Sequence, residues 1–142
     1  RMSKIRIAAS DADLEQCFPV MAELRKNLGQ EEFVERSKRQ RELYGFEIVF
    51  ISDAAGVKAV AGIRIAEWLA GGRYLEIEDL VTARDSRSSG FGGQLFDWIV
   101  EYATQERCEQ VRLVSSVCRF GAHRFYLRRR MNIEAHYFSM SI

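Results

Sequence analysis

Arg87-Ser88-Ser89-Gly90-Phe91-Gly92-Gly93 follows an extended run, Tyr74-Leu75-Glu76-Ile77-Glu78-Asp79-Leu80-Val81, and opens a strong helical pattern from Gln94 to Gln105. A strand, a short turn with an arginine and closely spaced glycines, then a helix start is an arrangement that binds phosphate. The first N–H groups of a helix have no intrahelical partner, and the helix dipole places partial positive charge beside them. Glycines let the backbone approach an anion, and Arg87 adds a charge-assisted hydrogen bond. The spacing R-x-x-G-x-G is not the G-x-G-x-x-G of dinucleotide folds. Nor is it a P-loop, because no Lys-Ser or Lys-Thr pair follows the glycines. A glycine-rich turn that only caps a helix has the same composition, so the flanking segments must decide.

Upstream, Lys4 to Ala8 alternates like a short strand. Ser10 is a candidate N-cap with Asp11 and Asp13 in the first turn. Leu14, Cys17, Met21, Leu24 and Leu28 recur at helical spacing up to a stop at Gly29. A more polar helix is expected from Glu31 to Leu43, anchored by Phe33 and Tyr44. Phe46 to Ile51 and Val57 to Trp68 read as strands with a turn through Asp53-Ala54-Ala55-Gly56, and Gly71-Gly72 turns the chain into Tyr74 to Val81. Downstream, Leu95, Ile99, Tyr102 and Ala103 mark one face of a helix that Phe96 and Val100 widen. Val111, Leu113 and Ser115 alternate as a strand, Phe120 to Arg128 is a shorter helix, and Ile133 to Ser141 is expected to be a final strand.

Hairpins in the middle and a helical crossover afterwards predict an α/β (mixed α+β) fold with a mixed central sheet and helices on both faces. The length of 142 residues suits one domain spanning 1–142. With 47% hydrophobic and 29% charged residues, the composition is that of a soluble globular protein. A formal net charge of +1 argues neither for nucleic acid nor for an anionic membrane surface, and neither is expected as a partner. No apolar run is long enough to span a bilayer, no signal peptide is visible, and Arg1 before Met2 reads as a residue left by an expression tag. Cys17, Cys108 and Cys118 are scattered and odd in number, which suits a reducing, cytoplasmic location. His123 and His136 lack metal-ligand spacing, so no metal is expected.

The phosphate loop in this context resembles motif A of the GNAT superfamily of N-acetyltransferases. A second match, Arg119-Phe120-Gly121-Ala122-His123-Arg124-Phe125-Tyr126, resembles its motif B, where N-x-x-A-x-x-F/L-Y is frequent. Ala122, Phe125 and Tyr126 fit; Arg119 stands where Asn is common, and Arg130-Met131 where Gly-Phe is common. The element order also matches, so the resemblance covers the whole chain. It implies a strand pair that splays, between Tyr74–Val81 and 110–116, and acetyl-coenzyme A as co-substrate. Its pyrophosphate would lie on Arg87, Ser88, Ser89, Gly90, Phe91, Gly92 and Gly93. Its pantetheine arm would pair with the backbone of Leu80, Val81 and Thr82, with Arg119 at the position of a further contact.

The resemblance also implies that the Tyr126 hydroxyl protonates the departing thiolate. A carboxylate on the strand would relieve the acceptor ammonium of its proton, with Glu76 the first choice and Glu78 the second. Strict alternation puts Glu76 and Glu78 on one face and Asp79 on the other. His123 reads as a structural histidine, and Arg128-Arg129-Arg130 as a solvated helix end. The expected acceptor is a small-molecule or peptide amine, and a homodimer is compatible with an apolar final strand. The alternative is a non-catalytic acyl-CoA-binding sensor or partner module, which would keep the loop and dispense with acid and base. A different nucleotide-binding protein is disfavoured by the missing spacings.

Overall fold

A computed structural model of the chain describes residues 2–142; Arg1 lies outside them. The contacts cluster into two compact units, one ending at Arg112 and the other running from Leu113 to Ile142.

In the first unit, β1 (Lys4–Ile7) leads into α1 (Asp11–Leu24), and α2 (Gln30–Tyr44) leads into the strands β2 (Phe46–Asp53), β3 (Gly56–Trp68) and β4 (Gly72–Thr82). A 3-10 turn (Arg84–Ser86) precedes α3 (Phe91–Gln105), which crosses to β5 (Gln110–Leu113). The sheet order is β1-β2-β3-β4-β5, and β1 to β4 pair antiparallel. The helical crossover to β5 makes the sheet mixed, and α1, α2 and α3 complete the α/β layers of this unit among the described residues. Ser10 caps α1 in a capping box with Asp13. The helix ends at Leu24, sooner than the Gly29 stop expected, because Arg25 leaves helical geometry and turns its side chain towards β4.

Leu14, Cys17, Val20 and Met21 of α1 and Phe33 and Val34 of α2 cover Phe46, Ile48, Phe50, Val60 and Val81 of the sheet. The residues between them, Val49, Ile51, Ala61 and Ile63, are also buried and therefore point to the opposite face. There α3 buries Leu95, Phe96, Ile99 and Ala103. Each fully buried side chain of this kind contributes about 1.5–3 kcal/mol.

The β3–β4 ladder contains one irregularity that shapes the site. Gly62 pairs with Asp79 and Ile63 with Ile77, so Glu78 is an extra residue on β4, a β-bulge. β5 begins beside the start of β4, where Glu109 N donates to Arg73 O at 2.6 Å. It is four residues long against the eleven of β4, so Asp79–Thr82 run past its end.

The second unit carries α4 (Phe120–Arg128), with the boundaries expected. The strand expected over Ile133–Ser141 is absent: residues 131–142 carry no regular secondary structure. The segment is rich in apolar and aromatic residues, but a strand also needs a neighbour to complete its hydrogen bonds, and among the described residues none pairs with it.

Candidate active site

The bulge corrects the alternation expected on β4. Glu76 lies opposite Arg64, and Arg64 donates from Nε and Nη2 to the two Glu78 carboxylate oxygens at 2.6 and 2.9 Å. Asp79 lies opposite Gly62, two residues before Arg64 on β3 and on the same face. All three carboxylates therefore share the face that α1 and α2 cover, instead of dividing between two. The extra residue resets the period-2 count between Ile77 and Asp79.

Each carboxylate has its own arginine. Arg112 Nε donates to Glu76 Oε1 at 2.8 Å, while its guanidinium packs 4.2 Å from the Trp68 ring centroid and 3.7 Å from that of Tyr74. Arg25 Nε donates to Asp79 Oδ1 at 2.7 Å, and Arg25 Nη2 to the Glu78 carbonyl at 2.9 Å. Burial lifts the Asp79 carboxyl above its ordinary pKa, opposed by the hydrogen bond and charge of Arg25. Neither Arg25 nor Arg64 was singled out from sequence, since each acts through a pairing distant in the chain.

These groups open onto a pocket of about 170 Å³ between α1, α2 and β4. Met21, Leu28, Phe33 and Ile48 give it apolar walls; Arg25, Arg36, Glu78 and Asp79 give it charge. It adjoins Leu80–Thr82, the stretch of β4 that continues beyond β5. Backbone N–H and C=O groups on such an edge are available to an added strand-like chain.

The expected phosphate loop follows directly. Arg87 Nε donates to Thr82 O at 3.3 Å and Nη2 to Glu23 Oε1 at 3.3 Å, which ties the loop to β4 and α1. Ser88 has φ 68° and Gly90 has φ 87°, so the chain makes a tight left-handed turn into α3. No side chain caps that helix start. A Cβ on Gly92 would lie 2.9 Å from Thr82 Oγ1, so the helix start approaches β4 more closely than a larger residue permits. An uncapped helix N-terminus, a glycine-lined approach and a bare strand edge in one strand–loop–helix unit fit a pyrophosphate with an extended amide-bearing arm.

In the second unit, Tyr126 is half-buried on α4, and burial raises its phenol pKa against the lowering effect of Arg119. The phenol therefore stays protonated at neutral pH, the state a proton donor requires. His123 Nε2 donates to the Ser116 carbonyl at 2.8 Å, which gives that histidine a local structural tie. Arg130, where the family commonly has Gly, adopts φ 69°, and Met131 N donates to Tyr126 O at 3.1 Å. The turn after the helix is thus kept with an arginine in the left-handed region.

Among the described residues, no group of three or more His, Cys, Asp and Glu is placed to hold a metal. Cys17 is buried in the core and its thiol is pushed up to about 12, chiefly by burial, so it is not a nucleophile at neutral pH. Among the described residues, no helix is long and apolar enough to cross a membrane.

The model of the Acetyltransferase (GNAT) family matches residues 13–131. An uncharacterized N-acetyltransferase of Bacillus subtilis, YhdJ, is 28% identical over 138 residues, 96% of this chain and 97% of that protein. An aminoalkylphosphonate N-acetyltransferase of Salmonella typhimurium is 42% identical over 53 residues, 37% of this chain and 34% of that protein. Among solved structures, an acetyltransferase of Trypanosoma brucei superposes with a TM-score of 0.81 at 20% identity, covering 99% of this chain and 100% of that one.

Proposed function

This chain belongs to the GNAT family of acetyltransferases, and from that premise we propose that it moves acetyl from acetyl-coenzyme A to an amine by direct attack in a ternary complex. The observation that carries this reading is the continuous unit of bulged β4, loop and uncapped α3, with a charged pocket beside the bulge. The N–H groups of Gly90 to Gly93, the hydroxyls of Ser88 and Ser89 and the Arg87 guanidinium take the pyrophosphate. The Leu80–Thr82 edge pairs with the pantetheine amides, Phe91 packs at the loop, and Arg119 is assigned a contact to the same arm. Backbone N–H groups at the bulge polarise the thioester carbonyl and stabilise the oxyanion that forms on attack.

Only the free amine attacks, so the ammonium must first lose a proton. The resemblance puts Glu76 first, but Glu78 and not Glu76 lines the pocket. We therefore assign this role to Glu78, directly or through water, and keep Glu76, two residues earlier on the same face, as the second candidate. The amine nitrogen bonds the thioester carbon and the C–S bond breaks. Tyr126 gives its proton to the departing thiolate and regains one from the nitrogen as it becomes the amide. The acceptor is a small-molecule or peptide amine and the setting cytoplasmic. A homodimer is compatible with this assignment.

Amine-dependent release of free coenzyme A tests the proposal. Release with an amine and none without it is expected, with Tyr126→Phe slower by roughly 10- to 10³-fold in single turnover, the range of one proton-transfer contribution. Glu78→Gln and Glu76→Gln, compared at neutral and alkaline pH, distinguish the two carboxylates, since the base-deficient variant recovers as the amine loses its proton unaided. Binding of acetyl-coenzyme A without release for any amine in a broad panel would favour the sensor.

A further inference from the structure

We propose that the pocket between α1, α2 and β4 is built for a small zwitterionic amine, whose ammonium faces Glu78 and Asp79 and whose carboxylate or phosphonate faces Arg36. The inference rests on the transferase reading in taking this pocket as the acceptor's, and names the acceptor's chemical class.

Size is the first argument. About 170 Å³ lies well below the ~300–1,000 Å³ of pockets that take drug-sized ligands, which favours a small ligand. The apolar walls from Met21, Leu28, Phe33 and Ile48 suit a short alkyl spacer.

Charge is the second. Two cations and two anions line the pocket, so a ligand of zero net charge with separated ends matches it. Three of the four are committed: Arg25 to Asp79, and Glu78 to Arg64. Arg36 differs. Its partner is Glu32, one turn earlier on α2, and both side chains are about half exposed at 42% and 53%. Exposed pairs of this kind contribute little, so turning Arg36 towards a ligand anion costs little.

Placement is the third. Gln40, one turn after Arg36, accepts from Arg64 Nη2 at 2.5 Å, and the same nitrogen donates to Glu78. The anion-binding group and the tie to the Glu78 carboxylate are thus one helical turn apart along α2, about 5.4 Å, a separation that a short spacer covers. A diamine would bring its second cation towards Arg36, and an uncharged tail would leave that arginine unused. Desolvation of Asp79 adds support, since a second cation beside a buried carboxylate offsets its burial.

Calorimetric titration with and without saturating coenzyme A tests this with four probes of similar length. β-Alanine and 2-aminoethylphosphonate carry the two anionic groups; n-propylamine and 1,3-diaminopropane replace them with a methyl and a cation. At least one zwitterion should bind roughly 10- to 100-fold more tightly than either control, as a charge-assisted contact implies, and the two arms tell carboxylate from phosphonate. Arg36→Gln should erase that ratio, whereas Arg39→Gln, exposed on the same helix outside the pocket, should keep it. Equal or tighter binding of propylamine or diaminopropane, a ratio unchanged in Arg36→Gln, or no binding by any probe would overturn the proposal. Because the readout is binding, zwitterion binding without coenzyme A release would defeat the transferase reading while leaving this one intact.

Discussion

Gly62 makes room for Asp79. A Cβ at position 62 would collide with the Asp79 carboxylate and lie 2.6 Å from the Phe46 ring, inside a ladder whose partners are fixed. Gly62→Ala should therefore displace Asp79, and with it the bridge to Arg25. Overpacking of this kind costs about 1–3 kcal/mol. The expected outcome in urea unfolding is a lower midpoint with an unchanged slope. Amine binding should weaken more than acetyl-coenzyme A binding, since the loop lies further along β4. A variant as stable as the parent with intact amine binding would show that Asp79 does not depend on this space. The same residue explains a misreading. Counting in twos along Glu76, Glu78 and Asp79 assigns Asp79 to the wrong face, because one bulged residue resets the count. A glycine inside a strand pattern is a signal for such a bulge, and Gly62 was the available clue. Arg25 and Arg64 offered no such clue, because an arginine's partner across the fold leaves no spacing to read.

Among the elements, α1 shows what local sequence carries and where it stops. Ser10 as N-cap with acidic residues in the first turn is legible from four consecutive residues. The bidentate bond from Arg6 on β1 to Asp13, at 2.7 and 2.8 Å, is not, since it joins two elements. Asp13 also accepts from Ala9 N at 2.9 Å, and these bonds, with Arg6 foremost, hold its carboxyl well below the usual range. A carboxylate with a depressed folded-state pKa adds stability that is fully present above its unfolded value, about 4, and lost as pH falls through the folded one. Asp13→Asn should thus lower stability at pH 7 by roughly 1 kcal/mol, as loss of a helix-start contact does. The deficit should shrink as pH falls below about 4, where Asp13 of the unfolded parent begins to take up a proton that the folded protein still excludes. Urea midpoints for both proteins at pH 7 and pH 3 measure it, and an equal gap at the two values would remove Asp13 from the acid response. The strand expected over Ile133–Ser141 marks the opposite limit. Its apolar and aromatic content is real, but pairing depends on which edge is available, and that is not encoded in the segment itself.

For the molecule as a whole, the strand–loop–helix unit makes ligand binding and folding one equilibrium. The loop is fastened to β4 through Arg87 and to α1 through Glu23, so a ligand held by its N–H groups favours the native state over the unfolded chain. At 100 times its dissociation constant, such a ligand stabilises by about 2.7 kcal/mol. For a domain of this size each kcal/mol moves the midpoint by roughly 2–4 °C, so acetyl-coenzyme A should raise Tm by roughly 5–10 °C. Gly92→Val should abolish that rise, because its side chain would meet Thr82 Oγ1 where the helix start approaches β4. The variant's own midpoint is expected to fall too, so the ligand-induced difference is the quantity that decides. Gly29→Ala supplies the control: it lies at the start of α2, where an added Cβ meets nothing within 4 Å, and should retain the full shift. The loop and helix start themselves were legible in the sequence, because glycines and helix starts are local features with a local spacing. No shift in the parent at millimolar acetyl-coenzyme A, or an equal shift in Gly92→Val, would mean that the loop does not hold the pyrophosphate. The proposed transfer would then lose its donor site while the fold stood unchanged.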